Sequence, residues 1–437
     1  MVITQSKEHS EINNLLLKSF CILLGIGFAI QDVLILGRFF GPSAASIGGM
    51  IILLAFVASS KAVKAKTLHL YSKEILIITA IVTLIFLPTQ ESMLYGEIVW
   101  LKAVKVGLSV VLLLISLKYG QIFQLLHKEL LSYVAHSYVL TIYIGVIFEK
   151  LGFFSRSDTS FIHYTHNFTQ RPRGFATEPS TLAYSLTTAF TLIVIASVKR
   201  NSWRRNILLF SVILSGFLIT TSRGFLGSTV LAIVSTILIL TIKKSQIRNV
   251  TLVAGFISTF IVLQSIFFGV LLRSNLWSNF SRGTSDATRE VWAQVSISGL
   301  SNAPIGAGFQ GLITAAPVYL KEYVDRNAFR FSNYSLRELY ITYSQSTDFA
   351  ISPKNITSLF IITSGIFGLM FIANIIIKNI AAMIKNAQIK FWESFSIFLV
   401  MYTLLNYAGG MTSFAGFFTL GVIIEKFRVI EKSSNDK

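Results

Sequence analysis

The stretch RPRGFATEPSTLAYS, residues 171–185, sets two arginines, a proline and a glutamate directly before an apolar run that continues to about residue 198. A helix needs about 20 apolar residues to cross a bilayer, so the run reads as a membrane span that begins beside charge. Ionisable groups next to lipid are costly, and where they persist they are functional candidates. The side of the membrane on which this stretch lies decides both the topology of the chain and the use of Arg171, Arg173 and Glu178.

Similar runs recur from end to end. Apolar segments fall near 15–37, 43–60, 74–91, 97–117, 130–148, 180–198, 206–221, 224–242, 250–272, 356–377, 391–408 and 411–425. Of the 437 residues, 53% are hydrophobic and 13% charged, with a mean hydropathy of +0.66. A soluble domain carries roughly 25% charged residues. The expected fold is therefore all-α: a polytopic membrane protein of about twelve transmembrane helices. The first segment is long and lacks a small-residue cleavage site, so it reads as a signal anchor. The single cysteine, Cys21, lies within it, which leaves no disulfide framework and no cysteine metal cluster.

The net charge is +18. One reading is the enrichment of Lys and Arg in cytoplasmic loops. The other is that part of the excess faces outward and meets an anionic substrate. Nucleic acid is not the expected partner, because no basic run has a soluble domain around it. The linkers with Lys61, Lys64 and Lys66, with Lys118 and Lys128, with Lys199, Arg200, Arg204 and Arg205, with Lys243, Lys244 and Arg248, and with Lys378, Lys385 and Lys390 all fall on one side. The tail with Lys426, Arg428 and Lys432 joins them, whereas the alternate linkers near 92–96 and 409–413 have no Lys or Arg. Both termini are then cytoplasmic. Residues 1–272 hold nine spans, 273–355 form one large extracytoplasmic loop or cap, and 356–437 hold the last three spans and the tail.

Residues 149–179 and 273–355 face outward in this arrangement, with Arg171, Arg173, Arg273, Arg282, Arg289, Arg326, Arg330, Arg337 and Lys354. Arg223 lies in the short external turn LITTSRGFLGS between two spans. Arginine is suited to phosphate: it is planar, always charged and able to donate paired hydrogen bonds. The plainer alternatives are a snorkelling Arg223 and a cap whose arginines pair with Asp286, Glu290, Glu322, Asp325, Glu338 and Asp348. His163 and His166, with Asp158 nearby, fall short of a metal site, which needs further ligands; none is expected, and no other cofactor. The Gly-rich stretches follow no strand, which excludes a Walker-type nucleotide loop.

Three motifs in order resemble the O-antigen polymerase and ligase superfamily of bacterial membrane glycosyltransferases. They are RPRGFATEPS at the outer start of a span, the turn TTSRGFLGS, and TREVWAQVSISGLSNAPIGAGFQG, an Arg-x-x-Trp helix running into Pro-x-Gly-x-Gly. After the loop, NITSLFIITSGIFGLMFI is similar to the family's next span. The resemblance covers residues 150–410 and implies a GT-C-like fold in the bacterial inner membrane, with its active site facing the periplasm. It implies metal-independent transfer of glycans linked to undecaprenyl pyrophosphate, which serve as both donor and acceptor. A chain-length regulator protein is a further partner that the resemblance implies.

On the matched positions, Arg171 or Arg173, Arg223 and Arg289 are the basic residues that the resemblance assigns to pyrophosphate, with Arg171 the better fit to Arg-x-x-Gly. Glu178 would either accept the proton of the attacking hydroxyl or orient an arginine; the orienting role is preferred. Pro179 would open the following helix. Ligases carry a histidine late in the loop; this chain reads ISPKNITS there, with Lys354 and Asn355. That favours a repeat-unit polymerase over a ligase-type transferase. A lipid-linked glycan flippase is the alternative from another class, and the chain lacks the similar halves that transporters often have.

Overall fold

The computed structural model describes residues 2–31, 93–94, 97–154, 171–176, 179–196, 203–220, 223–244, 284–331, 336, 339–340, 356–385, 389–407 and 414–435. The helices are α1 (Val2–Ala29), α2 (Val99–His127), α3 (Leu131–Lys150), α4 (Pro179–Ala196), α5 (Trp203–Thr220), α6 (Arg223–Lys244), α7 (Thr284–Asn302), α8 (Gly308–Asn327), α9 (Ile356–Lys385), α10 (Phe391–Tyr407) and α11 (Phe414–Asn435). Short 3-10 turns follow α2 and α8. Among the described residues the strands are Met93–Leu94 and Glu97–Ile98, a two-residue antiparallel ladder just before α2. The fold is thus all-α, as expected.

Nine of the expected spans coincide with helices, and α2 and α11 run about ten residues further than their apolar cores. The spans expected at 43–60, 74–91 and 250–272 lie outside the described residues. Two stretches, Leu113–Lys150 and Ile356–Ala381, are long and apolar enough by composition to cross a membrane, and five shorter apolar helices accompany them. The first stretch is interrupted after His127, where exposed Lys128 and Glu129 form a 3-10 turn. Outer faces are apolar: Phe210, Leu214 and Leu218 on α5, and Leu226, Val230, Val234 and Ile237 on α6, stand exposed at helical spacing. Exposed apolar stripes of this kind suit lipid better than water.

Close packing at glycines joins the helices. A Cβ added at Gly120 of α2 would lie 2.0 Å from the Phe418 carbonyl of α11, and one at Gly421 would lie 2.0 Å from the Leu117 carbonyl. Such small-residue seams replace the hydrophobic drive that is missing between helices in lipid. The Ser116 hydroxyl donates to Phe414 O at 2.7 Å, and Gly120 meets Phe418, so α2 and α11 run parallel. Phe28, Tyr138, Tyr119, Phe123 and Phe418 form an aromatic cluster that ties α1, α2, α3 and α11 together. Lys18 lies over the Tyr133 ring and Gly25 against Ser137, so α1 and α3 are also parallel. In contrast, α4 and α10 are antiparallel: Thr191 donates to Ser396 O, Phe190 faces Phe395, and Tyr184 and Leu404 converge on Gly416.

The α9 helix is broken. Gly365 has φ 56° and ψ −132°, outside any helix. The two arms fold against each other: the Phe360 carbonyl closes on Gly368, and the Phe360 and Phe371 rings are 5.4 Å apart. In an unbroken helix the Ile366 N–H would bond to the Ile362 carbonyl. Here Ile366 N–H donates to Pro304 O at 2.8 Å, and Ile362 O accepts from Ala307 N–H at 2.9 Å. The Pro304–Gly308 elbow between α7 and α8 therefore satisfies both groups freed by the break. Residues 284–331 of the expected external cap pack this way onto α2 and α9.

At the far end of α10, the Glu393 carboxylate accepts from Lys390 N–H at 3.2 Å and from Lys426 Nζ of α11 at 3.0 Å. The first bond caps the α10 N-terminus. Burial lowers the Lys426 pKa from 10.5, with Glu393 opposing the shift. Below 10.5 and above the folded value, the unfolded chain holds a proton that the folded chain does not, so stability rises with pH through that window. Glu393→Gln should lower stability at pH 7 by about 3 kcal/mol, the usual cost of breaking a buried pair. It should also widen the window downward. Melting curves of the purified variant across pH 7–10 check this: its melting temperature should recover part of the loss as pH rises.

Candidate functional site

The first motif is fixed by the end of α3. That helix closes in a Schellman turn: Phe153 N–H reaches Phe148 O at 3.0 Å, and Gly152 N–H, at φ 81°, reaches Glu149 O at 3.2 Å. The Phe148 and Phe153 rings pack at 5.1 Å across the turn. Glu149, the last residue but one of α3, points its carboxylate inward, where Oε2 accepts from the N–H groups of Arg173 and Gly174, both at 2.9 Å. Phe175 lies over Gly145 and near Phe154, and Ala176 N–H closes a turn on Arg173 O. Gly174 has φ 56°, a conformation that favours glycine. The Arg-Pro-Arg-Gly loop is thus a rigid strap across the α3 terminus.

Arg171 extends from this strap, half-buried, and its Nη1 donates to Thr220 O at 3.3 Å. Thr220 is the last residue of α5, where helix carbonyls lack partners and the dipole is negative. Arg223 is the first residue of α6, at a terminus whose N–H groups and dipole favour anions. The first and second motifs therefore meet: Arg171 is anchored three residues before Arg223. Arg173 differs from Arg171, being fully buried at 0% exposure. Pro179 opens α4 as expected.

Arg289 lies in the first turns of α7, whose packing partners are α8 and α9. Its side chain and that of Arg223 lie outside the described side chains. Glu178 lies outside the described residues, as do His163, His166, Asp158, Arg273, Arg282, Arg337 and Lys354. Of the cap's expected acid–base pairs, Arg326 and Glu322 are joined, on the exposed face of α8 at i,i+4.

Glu149 was not legible as a site residue. Its signal was a single acid at the outer end of an apolar run, with a partner loop more than twenty residues on. Glu149→Ala removes the acceptor for two buried N–H groups, each costing about 1–3 kcal/mol when unsatisfied. We expect a clear fall in melting temperature together with loss of activity, and Glu149→Gln, which keeps an acceptor oxygen, should retain most of both. An unchanged melting temperature in the alanine variant would remove the strap from the account.

Comparison with protein-family models, curated proteins and solved structures gives no match to this chain.

Proposed function

We propose that this chain is a metal-independent polymerase of undecaprenyl-pyrophosphate-linked repeat units in O-antigen, capsule or exopolysaccharide synthesis. The observation that carries the reading is the anchoring of Arg171 on Thr220, which brings the Arg-Pro-Arg-Gly loop to the turn bearing Arg223. The relative helix directions agree with the expected alternation of spans: α1 with α3 and α2 with α11 run parallel and α4 against α10 antiparallel, and the basic linkers set the termini in the cytoplasm. In that topology the arginine site faces the periplasm.

In the reaction, an acceptor sugar hydroxyl on the next lipid-linked unit forms a bond to the anomeric carbon of the growing glycan. The bond from that carbon to the pyrophosphate oxygen breaks, and the electron pair leaves with the pyrophosphate. Negative charge grows on the leaving group, and preorganised guanidiniums stabilise it. Arg171, Arg223 and Arg289 fill this role, while Arg173, buried in the strap, holds its shape. Glu178 takes the hydroxyl proton or orients an arginine.

A deletion strain tests the class. Loss of a polymerase leaves surface glycan carrying a single repeat unit, which is the expected result. Long polymer retained on its carrier would indicate a ligase, and absence of surface glycan with lipid-linked units trapped inside would indicate a flippase.

A further inference from the structure

We propose that the α7–α8 hairpin is re-entrant: it enters the bilayer from the outer face, and its elbow at Pro304–Gly308 sits among the lipid acyl chains. This rests on the membrane reading above and is independent of the chemistry. Residues 291–320 contain no Asp, Glu, Lys or Arg, and charge returns on both flanks, at Arg289 and Glu290 before the elbow and at Lys321 and Glu322 after it. The uncharged arms are matched in length, each about 18–20 Å at 1.5 Å per residue. Charge at the mouth and none toward the tip is the pattern of a hairpin that dips into an apolar phase and comes back.

The tip's surroundings agree. Ile305 is 68% exposed; its backbone abuts Gly365, and the preceding Pro304 O accepts from Ile366 N–H. Ile366, Phe367 and Met370 of α9, also exposed, continue the same apolar surface. From Ile366, α9 runs about 18 Å to Lys378, the first basic residue of the linker expected to be cytoplasmic, well short of the roughly 30 Å of a bilayer core, so the elbow beside Ile366 lies below the outer surface. The start of α8, from Gly308 to Ile313, is buried on every face, which suits a helix that begins inside the protein.

Backbone bonding supplies an independent reason. In lipid every backbone polar group must be satisfied by the protein, whereas at a watery surface the solvent serves. The exchange with broken α9 supplies an acceptor for Ala307 N–H and a donor for Pro304 O. Gly306, at φ 98°, permits the approach, since a Cβ there would lie 2.4 Å from Thr363 O. At a watery surface the solvent could supply part of this bonding.

The test uses the full chain reconstituted in vesicles, with an environment-sensitive fluorophore on Ile305→Cys and, separately, on Phe367→Cys. Leu218→Cys, exposed on α5, marks the lipid phase, and Glu322→Cys marks the water phase. Cys21 is buried, and the labelled parent chain supplies the blank. The expected result at Ile305 and Phe367 is blue-shifted emission, loss of intensity with nitroxide-chain lipids, and little loss with aqueous iodide, as at Leu218. Iodide quenching at Ile305 equal to that at Glu322, or quenching by neither agent, overturns the re-entrant hairpin. If Leu218 itself fails to respond to nitroxide lipids, the membrane reading falls and takes the hairpin with it.

Discussion

Replacing Arg223 with alanine should cut repeat-unit polymerisation in purified membranes roughly a hundredfold while leaving the amount of protein unchanged. Arg223 opens α6 three residues after Thr220, the carbonyl that anchors Arg171. The N-terminus that Arg223 opens therefore lies beside the Arg171 anchor, and in the proposed reaction a pyrophosphate leaving group gains charge there as the glycosidic bond breaks. Removing one preorganised donor to such a charge costs about 3 kcal/mol, which is about two orders of magnitude in rate. Because this donor acts on charge that develops during the step, the turnover rate should fall more than substrate binding weakens. Arg223→Lys keeps the charge and loses the paired geometry, so it should recover only part of the rate. Arg289→Ala should fall similarly if α7 brings that residue to the same leaving group. Full activity of Arg223→Ala at normal expression would refute the pyrophosphate assignment.

Gly365→Ala should yield little folded protein. Two costs combine at this position. The backbone angles of φ 56° and ψ −132° are foreign to a side chain, at about 1–3 kcal/mol for such a residue. An added Cβ would also lie 2.1 Å from Pro304 O and 2.4 Å from Gly306 N. Both neighbours are bonded backbone atoms: Pro304 O accepts from Ile366 N–H, and Gly306 N–H donates to Ala303 O, so relief requires breaking those bonds, at about 1 kcal/mol each before the desolvation penalty. The sum is several kcal/mol, comparable to the whole stability of a domain. Size-exclusion profiles and melting of detergent extracts measure it. Gly299→Ala is the control, because its methyl would meet Ile362 at an ordinary 3.7 Å. A Gly365→Ala protein that elutes and melts like the parent would disprove the interlock.

The positions of most helices could be read from hydropathy because a span in lipid must be apolar over a fixed length; α3, α4, α6 and α10 begin and end within about two residues of the expected bounds. The approach of Arg171 to the end of α5, three residues before Arg223, followed from motif order. The break in α9 did not. ITSLFIITSGIFGLMFI is uniformly apolar, and hydropathy is blind to a reversal in which both arms stay apolar. Glycine is common enough in membrane helices that Gly365 alone carried no signal. Glu149 escaped for a different reason: its role exists only once a distant loop lies across it. The expectation of an external cap rests on the length of residues 273–355, and length carries no information on which helices the segment packs against; the contacts of α7 and α8 with α9 and α2 emerge only in the structure.

The seam between α2 and α11 sets a schedule for the living cell. Gly120 and its neighbours leave the ribosome almost 300 residues before Phe418, the residue they pack against. At about 5–20 residues per second, α2 waits on the order of 15–60 s with its glycine face uncovered. For that interval the half-made chain exposes a helix surface shaped for a partner that has not been synthesised.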